Sequence, residues 1–387
     1  MPRHRPAVER EANARAGAPA WRGGHLRRGF PGQRGVRGDA PAGRFRTARA
    51  PGRRGQAKDG ARRSERADSG HAGGILEGGA VSPLVTVLVC TYRRRERILA
   101  CLDSLSRLRF PAGGLELLVV DDGSDDGTAE DIGRRRIQVP VRVLRQAHAG
   151  LAAARNTGIR SATGQIIVMV DDDTVAHPDL ASEHWLSHCD SDRAVVMGWV
   201  RHVIPGGTAG YLPRLSDLST SFFWTANVSV ARRHLLEAGL FYEGFAEYGW
   251  EDLEMGDRLR ERGLRRRRNW RAIVDHVKPP PTPSSLPAMM ARAEASGRSA
   301  VVYLLRRPCA RTRLATGLTR PRRALFRQLD GWEARLRRVV SRAPEAPLHG
   351  AGRIAAELLS GIHYYRSAGN ALDRATARKG LMAGGVS

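Results

Sequence analysis

The sequence predicts an α/β fold: a mostly parallel sheet flanked by helices, followed by C-terminal helices. Three observations carry this prediction. Short apolar, β-branched runs recur at residues 84–90 (LVTVLVC), 115–120 (LELLVV), 141–144 (VRVL) and 165–170 (QIIVMV), as buried strands require. Helix-spaced segments alternate with them, and strict strand–helix–strand order implies parallel strands joined by right-handed crossovers. Two of the runs end in acidic clusters, Asp121-Asp122 and Asp171-Asp172-Asp173, at the sheet edge where such folds bind ligands.

Each element follows from its residues. Residues 1–80 hold 16 Gly and 6 Pro among 18 basic and 7 acidic side chains. Their few apolar residues cannot offset the entropy of ordering the chain, so a disordered tail is expected, with folding beginning near Val81. After the first strand, Ile98, Leu102 and Leu105 share one helical face, with Cys101 and Leu108 beside it. Residues 151–162 read as the next helix. Leu253, Gly256 and Leu259 are spaced for a helix opened by Glu251 and Asp252, with Gly263 as its stop. Residues 270–277 read as a strand that holds His276 near its end. Farther on, Met290, Ala293, Gly297, Val301 and Leu304 form one amphipathic stripe; Leu325, Leu329, Trp332, Leu336 and Val339 form another. The expected organisation is a tail over 1–80, an α/β domain over 81–280 and a basic helical region over 281–387.

Composition bounds the function. The 387 residues carry 64 Lys and Arg against 39 Asp and Glu, a net charge of +25. Residues 81–254 hold 18 basic and 23 acidic side chains, whereas residues 255–387 hold 28 and 9. An acidic centre with clustered Asp suits a cation-dependent site. The basic C-terminal helices either pack on the domain or lie on anionic lipid through Arg322, Arg323, Arg327, Arg335, Arg337 and Arg338, with residues 301–305 and 362–365 as candidate contacts. Four cysteines without a CxxC spacing argue against a zinc ribbon or a disulfide-stapled fold. No apolar run approaches the length of a membrane span, and no apolar N-terminal core suggests secretion. A cytoplasmic location, peripheral on the membrane face, is the expectation.

The acidic clusters have both plain and chemical readings. Asp121-Asp122-Gly123 could simply cap the next helix and make a turn. Three adjacent carboxylates after a buried strand repel one another and are stable together chiefly when a cation or donors neutralise them. Oxygen ligands suit Mg²⁺ or Mn²⁺ bridging to phosphates. Glu251 and Asp252, in the first turn of a helix, are favoured there by its dipole alone. A lone His276 is more often a satisfied core residue than a ligand.

Together these segments resemble a family. Residues 87–94 (VLVCTYRR), 119–128 (VVDDGSDDGT), 149–164 (AGLAAARNTGIRSATG), 171–173, 225–232 (TANVSVAR) and 250–254 (WEDLE) are similar, in order and spacing, to the motifs of family 2 glycosyltransferases. These are inverting enzymes of the Rossmann-like GT-A fold. Residues 243–259 also look like a galactosyltransferase-type C-terminal motif. The resemblance implies roles. Thr91 and Tyr92, with Asp121 or Asp122, would contact the nucleoside, and Arg155 the base or diphosphate. Asp171 and Asp173 would be the outer positions of a DXD motif holding ribose and metal, with His276 as a third metal ligand. Asn227 and Trp250 would meet the acceptor. Asp252 would be the catalytic base, with Glu251 as its alternative.

The function expected is transfer of a sugar from a nucleotide-diphosphate sugar to a saccharide or lipid-linked acceptor hydroxyl, with Mn²⁺ or Mg²⁺, in cell-envelope polysaccharide or glycolipid synthesis. Two other classes compete. A nucleotidyltransferase would want a Gly-rich phosphate loop after the first strand, where Cys90-Thr91-Tyr92 stands instead. An Arg-rich nucleic-acid binder would explain the flanks but not the Asp triplet in an acidic centre.

Overall fold

The computed structural model describes residues 84–383, except 112, 136–138, 140, 205–220 and 343–344. The tail expected over 1–80 lies outside the described residues. Strand β1 (Val85–Thr91) leads through helix α1 (Arg95–Leu105), β2 (Leu115–Asp121), α2 (Thr128–Arg134), β3 (Val141–Arg145) and α3 (Leu151–Ser161) to β4 (Ile166–Val170). Then come β5 (Thr174–Ala176), α4 (Leu180–Leu186), β6 (Ala194–Val203), β7 (Asn227–Ala231), α5 (Arg232–Glu237), α6 (Glu251–Glu261) and β8 (Arg265–Val277). The remaining helices are α7 (Leu286–Arg306), α8 (Ala310–Thr316), α9 (Arg320–Leu329), α10 (Glu333–Ser341) and α11 (Gly350–Ala383).

The strands form one sheet in the order β3-β2-β1-β4-β7-β6-β8-β5. β3, β2, β1 and β4 are parallel neighbours, as the alternating apolar runs required. Beyond residue 170 the pairing becomes mixed. β7 runs antiparallel to β4 and β6, and β5 antiparallel to β8, while β8 is parallel to β6. Four of the seven pairings among the described residues are parallel, so the mostly parallel expectation holds, with each antiparallel pair involving a strand beyond residue 170. β8 starts earlier than the strand expected at 270. Its first residues are four consecutive arginines. Since β5 pairs only with Val274, Asp275 and His276, the start of β8 is a sheet edge, where charge discourages pairing with another chain.

Side-chain alternation along β1 divides the core into two layers. Val85, Val87 and Val89 join Ile98, Leu102 and Leu105 of α1 and Leu180 of α4 on one face. Leu88 joins Ala154 and Ile159 of α3, Leu235 of α5 and Met255 and Leu259 of α6 on the other. Gly158 allows the close approach of α3 to β1: a Cβ there would stand 2.3 Å from Leu88 Cδ1.

The C-terminal helices are keyed into α6. Glu254 is fully buried and accepts hydrogen bonds from Arg258 on its own helix and from Arg306 on α7. The Tyr303 hydroxyl donates to Asp257. α7 and α11 cross closely at Gly297, where a Cβ would meet the Tyr364 carbonyl at 2.3 Å. Val301, Tyr303 and Ile362, in the segments expected to touch lipid, are at most 2% exposed and pack inside this layer, whereas Leu305 is 41% exposed. α9 and α10 differ: Leu325, Trp332 and Val339 remain exposed. Arg337 turns inward to Glu333, while Arg327, Arg335 and Arg338 stay exposed. Among the described residues, no helix is long and apolar enough to cross a membrane.

Candidate active site

A cleft of about 600 Å³ opens beyond the carboxyl ends of β1, β2 and β4. It brings together Thr91, Tyr92, Asp122, Arg155, Asp171, Asp173, Trp250, Glu251, Asp252 and His276, drawn from most of the motifs read in the sequence.

At one part of the cleft, Tyr92 stacks on His148 with ring centroids 3.9 Å apart and planes 15° from parallel. His148 carried no motif of its own. Its position depends on Gly123 (φ +84°), where a Cβ would stand 2.8 Å from the His148 nitrogen. Asp122 gathers this loop: its carboxylate accepts the backbone N–H groups of Ala149 and Gly150 and the side-chain amide of Gln146. Asp121 is 0% exposed and accepts from the Ser124 backbone. Of the two nucleoside candidates, Asp122 lies at the cleft, and Asp121 serves the turn beneath it.

The Asp triplet divides its tasks. Asp172 is buried, accepting from Thr91 Oγ1 and Arg94, each at 2.8 Å. The Thr91 hydroxyl is thus committed to the fold. Burial raises the Asp172 carboxyl above the usual range against the pull of Arg94. Burial also raises Asp171, opposed by Arg155. For Asp173, burial is outweighed by a hydrogen bond and charge from His276 and by Arg94 and Arg97, which hold it down at about 2. Its Oδ1 lies 3.3 Å from His276 Nε2. His276 reaches this point because β5, directly after the triplet, pairs with the end of β8, Thr174 opposite His276. His276 Nδ1 is buried without a hydrogen-bond partner among the described residues.

Asp171, Asp173 and His276 do not form a ready three-ligand cage; no such cluster occurs among the described residues. The Asp173 carboxylate fits a divalent ion such as Mn²⁺ or Mg²⁺, which is held through one or two carboxylates and completes its shell with phosphate oxygens and water; the His276 imidazole beside it suits Mn²⁺ better than the harder Mg²⁺.

Arg155 is buried, donating to Glu251 Oε1 at 2.6 Å and to Thr225 Oγ1 at 2.7 Å. Glu251 Oε2 is buried with no partner among the described residues. Asp252, next to it at the start of α6, is only half-buried. Burial, then the Glu251 charge, pushes its carboxyl up to about 7, against Arg155.

Two acceptor candidates are placed differently from expectation. Asn227 is 0% exposed. Its amide donates to the Trp199 and Ala272 carbonyls, and its oxygen meets His184. It joins β6, β7 and β8 beneath the cleft and does not line it. Trp250 lines the cleft but is anchored outward: its indole N–H donates to the Ser296 carbonyl of α7, and its ring packs on Tyr303. These contacts hold Trp250 at φ +77°, a conformation unusual for a bulky residue. The neighbouring Tyr248, 49% exposed beneath Arg292, is the aromatic turned to solvent. Its position depends on α7, which no motif around residue 250 could indicate.

An open α/β sheet with carboxylates and a stacked ring pair in the crevice at its strand ends defines a ligand-binding α/β protein of enzymatic type. Residues 86–242 match the family described as Glycosyl transferase family 2. It is 27% identical over 241 residues to the uncharacterized glycosyltransferase YfnE of Bacillus subtilis (46% of this chain, 61% of that protein). It is 28% identical over 227 residues to validoxylamine A glucosyltransferase of Streptomyces hygroscopicus subsp. jinggangensis (48% of this chain, 54% of that protein). The chain thus spans between half and two thirds of these relatives. Among solved structures, the mannosyltransferase PcManGT of Pyrobaculum calidifontis, in complex with GDP-Man and Mn²⁺, aligns with a TM-score of 0.44 and 18% identity over 79% of this chain and 80% of that one.

Proposed function

We propose that this chain is an inverting glycosyltransferase that moves a sugar from a nucleotide-diphosphate sugar to an acceptor hydroxyl. The observation that carries the proposal is one cleft holding Asp171 and Asp173 of the strand edge together with Asp252 of α6, in a chain whose residues 86–242 match family 2. The Tyr92–His148 pair offers a face on which a base stacks, with Asp122 beside it as hydrogen-bond acceptor. Asp173 and His276 would hold Mn²⁺ or Mg²⁺, which when bound offsets charge on the leaving diphosphate. Asp252 receives the proton of the acceptor hydroxyl on its carboxylate; a carboxyl near 7 is matched to that task at neutral pH. Glu251, tied to Arg155, is the poorer base. A single displacement opposite the leaving group inverts the anomeric carbon.

The acceptor is a saccharide or a lipid-linked saccharide, and α9 and α10 bring the enzyme to an anionic lipid surface. Leu325, Trp332 and Val339 recur every seventh residue and are 52%, 51% and 39% exposed. Arg335 lies over the Trp332 ring, and Arg327 and Arg338 are exposed nearby. An apolar stripe flanked by cations matches the boundary of an anionic bilayer.

The test of the transfer reading is a melting-temperature panel of nucleotide sugars with Mn²⁺. One donor should stabilise the protein, by ~2.7 kcal/mol at 100 times its Kd, with the shift reduced in EDTA. A panel without any stabilising donor would overturn the reading.

A further inference from the structure

The charge pattern of the cleft narrows the acceptor, on the reading that this is a transferase. Four cations line it: Arg94, Arg155, Lys278 and Arg292. Arg94 is paired with Asp172 and Asp173, and Arg155 with Glu251. Among the described residues, no carboxylate lies within 4 Å of Lys278 or Arg292, although the cleft is rich in acids. Glu247, on the same wall, is taken by Arg298 outside the cleft.

Both side chains are held by the fold. The Lys278 backbone N–H donates to the Val203 carbonyl at 2.9 Å, prolonging the β6–β8 ladder and fixing Lys278 just beyond His276. Arg292 projects from α7, its guanidinium 4.0 Å from the centroid of the Tyr248 ring. Both side chains line the same cleft. Arg292 is one helical turn before Ser296, on the same face of α7, and Ser296 accepts the Trp250 indole N–H two residues before Asp252. Arg292 therefore belongs to the wall that carries the proposed base. The nucleoside candidates Tyr92 and Asp122 come from different elements, at the ends of β1 and β2.

Two cations on one cleft, neither in salt-bridge range of a carboxylate among the described residues, form a site for an oxyanion; the planar guanidinium can bind it through paired hydrogen bonds and the ammonium through a third. We propose that Lys278 and Arg292 bind an anionic group of the acceptor, a phosphate or a carboxylate, and so select acidic acceptors beside Asp252.

The test uses the full chain in EDTA, with inorganic phosphate and, separately, acetate titrated against chloride at equal ionic strength. Binding is followed by calorimetry. At least one of the two anions should bind, and the better one identifies the class. Arg292→Gln and Lys278→Gln should each weaken it about tenfold, the worth of roughly 1.4 kcal/mol, while Arg292→Lys retains part of it. Both sites are exposed, so melting temperatures in chloride should match the wild type. The titration is then repeated with Mn²⁺ and saturating UDP or GDP. Persistent anion binding supports an acceptor site. Loss of anion binding under nucleotide would assign the two cations to the donor diphosphate and overturn the proposal, as would equal binding by wild type and both Gln variants. Neither readout needs transfer, so failure of the donor panel and failure of this site are separately visible.

Discussion

Arg155 and Glu251, 96 residues apart in the chain, meet through a 2.6 Å hydrogen bond in which both side chains are buried. The bond ties α3 to the first turn of α6 across the floor of the cleft. Because the guanidinium is committed to Glu251, the adjacent Asp252 is left without a strong cationic partner. Two neighbouring carboxylates thus acquire different chemistry.

Removing one member of this pair should be costly. Arg155→Met leaves the Glu251 charge buried and uncompensated, a loss of about 3–5 kcal/mol. The double variant Arg155→Met/Glu251→Leu should recover much of that stability. Urea denaturation of the two variants and the wild type measures both effects; a single variant as stable as the wild type would mean the pair is not buried as described.

Asp252→Asn keeps the shape and removes the proton acceptor. Transfer should fall roughly 10²–10⁴-fold with donor binding retained. The pH profile follows from the same carboxyl. A base acts only when deprotonated, so with a carboxyl near 7 the rate should fall about tenfold per pH unit below that value and level off above it. The acid limb should disappear in the residual activity of Asp252→Asn. A limb that survives the substitution belongs to another group.

Asp173 is the proposed principal metal ligand. Asp173→Ala should abolish Mn²⁺-dependent stabilisation by the donor without unfolding the protein, since the carboxylate faces the cleft. His276→Ala should weaken Mn²⁺ dependence less, because phosphate oxygens and water can supply the missing ligand. Titration of Mn²⁺ by calorimetry in the presence of the donor reads both, and an unchanged titration in Asp173→Ala would remove the metal from this site.

Reversing the charge of Arg327, Arg335 and Arg338 should reduce co-sedimentation with anionic liposomes, more strongly at low salt. Trp332→Ala should reduce it at all salt concentrations, because the lost term is apolar. Arg337→Glu serves as a contrast, since that side chain faces Glu333. Wild-type protein that never pellets with anionic liposomes would show that the exposed stripe serves another purpose.

The sequence by itself determined the first half of the sheet, from β1 to β4. Local apolar runs and helix spacing suffice there, because β1, β2 and β4 are buried on both faces and the strands are joined by single crossovers. It also determined that Asp122 and Asp171–Asp173 stand at strand ends, since a polar cluster cannot continue a buried run. The residues of the family-like motifs at positions 91–92, 122, 155, 171–173 and 250–252 line one cleft. Tertiary structure alone decided the rest. β6 and β7 enter the sheet by antiparallel pairing set by neighbours far along the chain. The buried amide of Asn227, the Trp250–Ser296 anchor and the approach of Arg292 to Tyr248 all depend on packing between elements distant in sequence. A motif records which residue type stands at a position; whether its polar atoms face a cleft or are satisfied by another strand or helix is settled by the packing that buries them.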